Sequence, residues 1–364
     1  MESKVITAAR WIPKMKLNMK RPRFLPDNLM LLMIGTILAA SLLPASGTTA
    51  LVFDDITNAA ICLLFFLHGA KLSKEAVIAG ASHWRLHLTV LLCTFLILPL
   101  LGFGLQPLLS QLVTPDLYLG VLFVCVLPST VQSSIAFTSV ARGNVPAAVC
   151  AASASNLLGI FLTPVLVGLL IVAHSGNLIQ FDAIRNIALQ LLLPFVAGQI
   201  ARRWIGPWVH AHKSLLKIVD QGSILLVVYT AFGEAVNQGL WQQVPMTSLL
   251  GLLLINALLL ALILTISMFG SRWLGFNKED EITIVFCGSK KSMASGIPMA
   301  KVLFAGPALG AVVLPLMLFH QLQLMVCAIL AQRYARRPEQ LIEPALEAGF
   351  DAKATENDAK QIIR

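Results

Sequence analysis

Phe286-Cys287-Gly288-Ser289-Lys290-Lys291-Ser292-Met293-Ala294-Ser295-Gly296-Ile297-Pro298 lies in the middle of an apolar run from about Ile282 to Phe304. At ~1.5 Å per helical residue, the two lysines sit roughly 12 Å into that run, near the centre of a hydrocarbon layer ~30 Å thick. Adjacent lysines at that depth are costly unless they face protein or water, which makes Lys290 and Lys291 candidates for a functional site. Gly288, Gly296 and Pro298 weaken the helix around them, as in a broken helix that lines a cavity. The alternative is a buried soluble helix with a lysine-capped turn, and it disagrees with the rest of the chain.

Of the 364 residues, 57% are hydrophobic and only 12% are charged, and mean hydropathy is +0.79. A soluble domain carries about 25% charged residues, so this composition belongs to an all-α polytopic membrane protein. The net charge of +9 does not point to nucleic acid, because the positive residues are confined to short connectors. The six cysteines (62, 93, 125, 150, 287 and 327) fall inside apolar runs and read as small packing residues, without metal or disulfide spacing.

Ten apolar runs are long enough to span: 27–46, 50–69, 86–106, 117–138, 144–173, 183–204, 215–238, 247–270, 282–304 and 306–332. Residues 1–26 carry seven basic residues and one acid, and read as a cytoplasmic juxtamembrane segment lying on anionic lipid. A secretory signal over Leu29–Leu43 is the alternative there. Residues 333–364 form a charge-mixed tail. Of the 27 lysines and arginines, 23 lie before the first run, after even-numbered runs or in the tail. Arg185, Lys290, Lys291 and Lys301 are the exceptions. The positive-inside rule then puts both termini in the cytoplasm, which fits a bacterial inner membrane.

Five spans per half is an odd number, so a duplicated unit (27–173 and 183–332) enters the membrane upside down the second time. Such inverted repeats build transporters, with the site at broken helices in matching positions. Run four contains Pro128-Ser129-Thr130-Val131-Gln132-Ser133-Ser134, and run nine, its counterpart, contains the lysine stretch. Where the two breaks cross, helix ends offer N–H groups to anions and carbonyls to cations. Ser129, Thr130, Gln132, Ser133 and Ser134 add neutral hydrogen-bonding groups, Ser289 and Ser292 flank the lysines, and the lysines supply positive charge.

These crossover segments, the Ala141-Arg142-Gly143-Asn144-Val145 loop, Thr163-Pro164 and Phe66-Leu67-His68-Gly69-Ala70-Lys71-Leu72-Ser73 resemble the bile acid:sodium symporter family over about residues 27–332. The likeness is closest to its divergent branch, which holds bacterial proteins and an orphan eukaryotic solute carrier member. The resemblance implies ten helices. A panel is made of spans one, two, six and seven, and a core of three to five and eight to ten, with spans four and nine crossing unwound. Classical members bind two sodium ions at that crossing and move organic anions by alternating access.

The carry-over of the sodium ligands is partial. The family's Ser-Asn pair falls on Ser133 and Ser134. Two polar positions of span five fall on Ala148 and Ala152, with Ser153, Ser155 and Asn156 close by. The glutamate opening the span-nine break falls on Phe286, the following Gln-Asn pair on Lys290 and Lys291, and a span-three glutamine near Thr94. Losing one carboxylate and gaining two ammonium groups changes the local charge by about three units and disfavours sodium. The expectation is therefore sodium-independent or proton-coupled transport, with the lysines standing in for the metal and no other cofactor. A desolvated lysine beside another lysine suits a proton carrier.

Other polar residues have plainer readings. His320, Gln321 and Gln323 in run ten read as interhelical hydrogen bonding, with His320 also a candidate for proton relay or solute contact. Glu234, Asn237, Asp220, Asp54, Asp55 and His68 sit near predicted span ends, and Gln190 lines a cavity or pairs with a neighbouring helix. The leading function is secondary transport of a small, anionic, amphipathic solute. Two alternatives compete with it: a regulatory membrane protein on a transporter scaffold, and an intramembrane hydrolase in which Ser133 or Ser292 pairs with Lys290.

Overall fold

The computed structural model describes residues 28–71, 83–170, 181–237, 239, 242, 244–304 and 308–337. The basic segment 1–26 and most of the charged tail lie outside the described residues, as do the side chains of Arg185 and Gln190. Among the described residues every regular element is helical. In order they are α1 (Asn28–Leu42), α2 (Gly47–Lys71), α3 (Trp84–Leu92), a π turn (Cys93–Ile97), α4 (Leu98–Gly104) and the short α5 (Gln106–Leu109). Then come α6 (Pro115–Val126), α7 (Gln132–Val140), α8 (Val145–Leu170), α9 (Phe181–Ala211) and α10 (Lys213–Asn237). The chain continues through α11 (Met246–Trp273), α12 (Lys278–Gly288), α13 (Met293–Leu303) and α14 (Ala308–Ala335).

Six of these stretches are long and apolar enough to cross a membrane: α2, α3 through α4, α8, α10, α11 and α14. Leu42, Leu193, Leu254 and Ile200 are more than three-fifths exposed, an apolar surface that only lipid or another apolar partner makes favourable. The remaining apolar runs take other forms. Run one is the 15-residue α1. Run six falls in α9, 31 residues long with Pro194 and Pro207 inside it. Runs four and nine are each split into two short helices, α6 with α7 and α12 with α13.

Packing gathers α1, α2, α9 and α10 into one group. The closest approach is α2 on α9, where a Cβ at Gly69 would land on the Phe195 carbonyl and one at Gly198 on the Phe66 carbonyl. Small residues at both points let the backbones meet, the usual device for joining helices in lipid. The split helices pack with α3, α8, α11 and α14, and the main apolar core runs through both groups.

The loop after α7 has a sequence-readable shape. Gly143 N–H donates to Thr138 O at 2.8 Å and Arg142 N–H to Ser139 O at 3.1 Å. Arg142 takes φ 58°. This is a Schellman ending, and it brings Asn144 onto the start of α12. There Asn144 donates to Asp280 at 2.8 Å and its carbonyl accepts from Thr283 Oγ1 at 3.0 Å.

Candidate functional site

Pro128 ends α6 because it offers no N–H, and backbone groups freed there find partners outside the helix. The Val126 carbonyl accepts from Thr163 Oγ1 at 2.9 Å, and the Ser129 N–H donates to Ser155 Oγ at 3.0 Å. The Pro128 carbonyl accepts the Ser292 N–H at 2.8 Å, which ties the first break to the second. Ser129 Oγ donates to Cys287 O at 2.5 Å and Ser134 Oγ to Phe286 O at 3.1 Å. The breaks expected in runs four and nine therefore touch, and hydroxyls of one segment cap the helix end of the other.

The second break is shorter than the sequence pattern implies. Only residues 289–292 are unwound, and Ser292 caps α13 by accepting from the Ser295 N–H at 3.2 Å. Gly296 and Pro298 lie inside α13 and do not break it. Gly296 serves close packing, since a Cβ there would come within 2.8 Å of Leu316 and closer still to Leu127.

The two lysines are fully buried and share a backbone, yet their ammonium groups do different things. Lys291 Nζ donates to the carbonyls of Thr94 at 2.8 Å, Cys125 at 2.7 Å and Leu127 at 2.7 Å. Three donors meet three acceptors. The local sequence explains why those carbonyls are free. In the π turn the Leu98 N–H goes to Cys93 O, and Pro99 has none to give, so Thr94 O has no helical partner. Cys125 O would be served by Pro128 or Ser129, but one lacks an N–H and the other is bonded to Ser155. Leu127 already lies past the end of α6. Carbonyls at a helix C-terminus carry partial negative charge, so this is a cation cage with a side-chain cation in it.

Lys290 Nζ has no hydrogen-bond partner and sits 3.7 Å from the centre of the Phe137 ring, a cation–π contact. It makes no pair with a serine. Ser133 Oγ meets Thr130 Oγ1 at 2.7 Å and Ser292 Oγ meets Ser295 Oγ at 3.1 Å, so the serine–lysine nucleophile weighed from sequence is not formed.

A cavity of about 660 Å³ opens between the two helix groups. Leu29, Leu32, Phe65, Phe195 and Ile224 give one wall an apolar face, and His68, Lys71, Lys217 and Asp220 line it at one end. The facing wall is mixed, with Thr130, Gln132, Ser133, Ser153, Asn156, Ser292, Ser295 and His320 set among apolar residues such as Leu157, Ile160 and Met293. Of the residues picked out in the sequence, Thr130, Gln132, Ser133, Ser292, Asn156 and His320 thus reach the cavity. Lys290, Lys291, Ser134, Ser289 and Thr94 are not among its lining residues. The carbonyls at the break take the Lys291 ammonium group and the Phe137 ring takes that of Lys290. Thr94 enters through its backbone, its hydroxyl being turned back to Val90 O at 2.8 Å.

Two residues of this region were not legible as such, whereas Gln323 makes an interhelical hydrogen bond as its sequence reading expects. His68 and Asp220 looked like span-end residues but line the cavity, with Lys71 and Asp220 paired at 2.9 Å. Gln323 is fully buried and clamps the second break, accepting the Lys291 N–H at 2.9 Å and donating to the Lys291 carbonyl at 3.0 Å. The same amide nitrogen lies 2.9 Å from His320 Nδ1. Lys301, an exception to the charge rule, pairs with Asp54 at 2.5 Å.

The model of the SBF-like CPA transporter family matches residues 27–336. A Pseudomonas aeruginosa protein named "Uncharacterized protein PA2026" is 64% identical over 330 residues, covering 91% of this chain and 99% of its own. The Escherichia coli strain K12 protein named "Putative symporter YfeH" is 56% identical over 315 residues, covering 86% of this chain and 95% of its own. More distantly, "Sodium/bile acid cotransporter 7" of Rattus norvegicus is 29% identical over 308 residues, covering 82% of this chain and 90% of its own. The relatives that carry functional names are named as transporters. With its membrane-crossing helices, paired helix breaks and solute-sized cavity, the chain belongs to the SBF-like CPA transporter family, of the bile acid:sodium symporter type.

Proposed function

We propose that the protein is a sodium-independent secondary transporter that moves a small organic anion by alternating access. The observation that carries this reading is the Lys291 ammonium group, held by three carbonyls at 2.7–2.8 Å where the two breaks meet. A metal cation at this point would compete with the ammonium group for those oxygens. A tethered ammonium satisfies them permanently, so solute binding does not wait for sodium. Anion recognition then falls to His68 and Lys217 at the end of the cavity where Lys71 is paired with Asp220, and to the hydroxyl and amide wall. The apolar wall supports an amphipathic cargo.

In this reading the chain makes ten spans as an inverted repeat, 27–173 and 183–332. The α1, α2, α9 and α10 group is the panel and the rest is the core. Both termini face the cytoplasm, between the basic segment 1–26 and the tail 333–364, and the membrane is the bacterial inner membrane. The charge distribution and the matched positions of the two breaks support it.

The test is thermal unfolding of the purified protein in sodium and in potassium, against a panel of organic carboxylates, sulfonates and phosphates. A ligand of the folded state raises its apparent stability. Stabilisation by an anion to the same extent in both salts is the expected result. An anion that stabilises only in sodium would overturn the proposal. A regulatory protein on this scaffold would bind without relative movement of the two helix groups, which spin-label distances across the cavity report.

A further inference from the structure

The clamp on Lys291 can be read atom by atom. The Lys291 peptide N–H can only donate, so the Gln323 atom 2.9 Å from it is the amide oxygen. The Gln323 nitrogen therefore faces both the Lys291 carbonyl at 3.0 Å and His320 Nδ1 at 2.9 Å. An amide nitrogen donates only, so His320 Nδ1 is the acceptor and its ring proton is on Nε2. The tautomer of a cavity-lining histidine is thus set by the same amide that holds the unwound strand of the second break.

We propose that His320 is a proton-binding site of the carrier and that Gln323 transmits its protonation to the crossing of the two broken helices. This rests on the transporter reading above and names the residue through which protons act on it. When a proton from the cavity binds Nδ1, two donors face each other and the Gln323–His320 bond is lost. Gln323 can accept the new Nδ1–H only by turning its oxygen to His320, and that takes the oxygen away from the Lys291 N–H. A protonated His320 that donates to Gln323 and a clamped Lys291 are mutually exclusive. The clamp has two discrete arrangements, which is what a coupling element requires.

The charged groups of the break itself are Lys290, on the Phe137 ring, and Lys291, in its carbonyl cage. Across the cavity lie His68, Lys71, Lys217 and Asp220, of which Lys71 and Asp220 neutralise each other at 2.9 Å. Of the helices packed on α14, α7 has no titratable residue. α13 brings Lys301, paired with Asp54, and α11 brings Arg272, paired with Glu281. α6 brings Asp116, Tyr118 and Cys125, and α10 brings Lys213, Tyr229 and Glu234 besides its cavity residues.

The experiment uses the full chain in lipid nanodiscs, with ¹⁵N-histidine labelling and backbone hydrogen exchange of the peptide covering 289–292. His320→Asn assigns the histidine signal and keeps an oxygen acceptor that does not titrate, while Gln323→Leu removes the clamp. At pH near 8 the wild type should show unprotonated Nδ1 and a slowly exchanging break. At pH near 5 it should show a doubly protonated ring, with exchange (corrected for intrinsic rate) faster by about two- to tenfold, as expected for a lost net hydrogen bond. His320→Asn should stay slow and Gln323→Leu should exchange fast at both pH values. A ring that stays neutral down to pH near 5 would overturn the proposal. So would an exchange rate unchanged when the ring is protonated, or a His320→Asn protein that accelerates like the wild type. None of these outcomes depends on finding a solute, so the switch and the sodium-independent anion reading fail separately.

Discussion

Replacing Lys291 probes the cage directly. In Lys291→Met the side chain keeps its bulk but offers no donors, and the carbonyls of Thr94, Cys125 and Leu127 lose their partner in a buried site. An unsatisfied buried acceptor costs about 1–3 kcal/mol, so three cost roughly 3–9 kcal/mol. Against that, the mutant no longer buries an ammonium group, whose desolvation costs several kcal/mol. The difference is a net loss of up to about 5 kcal/mol. Lys291→Ala has the same missing donors but leaves room, so a small monovalent cation can enter. At a concentration about 100 times its Kd that cation returns about 2.7 kcal/mol. The assay is thermal unfolding in detergent with sodium, potassium or choline as the only monovalent cation. Wild type should be indifferent to the salt, Lys291→Met low in all three, and Lys291→Ala low in choline and partly restored by sodium. A wild type stabilised by sodium, or a Lys291→Met protein as stable as wild type, would refute the idea that the ammonium fills a cation site.

Four further outcomes follow from other contacts. Lys290→Met should leave stability unchanged or raise it in the same unfolding assay, because that ammonium group has no hydrogen-bond partner to strand and methionine keeps the packing. Asp54→Asn should weaken the Lys301 bridge between α2 and α13 and open the end of the helix groups opposite Lys71. A membrane-impermeant thiol reagent would then label Ser153→Cys from both sides of the membrane where the intact pair allows one, and the swap Asp54→Lys with Lys301→Asp should restore the one-sided pattern. Gly198→Val should cost at least about 2–3 kcal/mol or prevent folding, since its side chain collides with the Phe66 carbonyl, and expression of folded protein reports it. Glu281, just before run nine, is buried, which raises its carboxyl pKa, but hydrogen bonds from Arg272, Lys278 and Tyr334 outweigh this and hold it below the ordinary carboxylate range. A depressed folded value contributes stability above the unfolded pKa and loses it as pH falls through the folded one. Unfolding followed across pH should therefore be flat near neutrality and fall below about pH 4, and Glu281→Gln should flatten that fall.

Much of the architecture was legible because membranes leave few options. Apolar runs of spanning length, breaker residues and the placement of Lys and Arg are one-dimensional signals, and the helix breaks at Pro128 and around Lys290 were readable from them. Pro128 was decisive because a missing N–H is a local fact. Gly296 misled for the opposite reason: a glycine in a helix reads as a breaker, whereas here it answers to Leu127 and Leu316 from elsewhere in the chain. His68 and Asp220 read as rim residues because distance along a helix says nothing about which side faces a cavity.

The sequence alone determined that this chain is a polytopic helical membrane protein with a charged, interrupted segment at its centre, and the motifs it carries placed it in its family. It determined too that two lysines sit where cations are expensive. Only the tertiary structure decided what each lysine does. Neighbours in sequence separate at an unwound turn, one into carbonyls freed by Pro99 and Pro128, the other onto Phe137. Those partners come from residues as much as 197 positions away. Hydrogen-bond acceptors of the backbone leave no residue-type signature, so which carbonyls stand free depends on how helices end and meet in space.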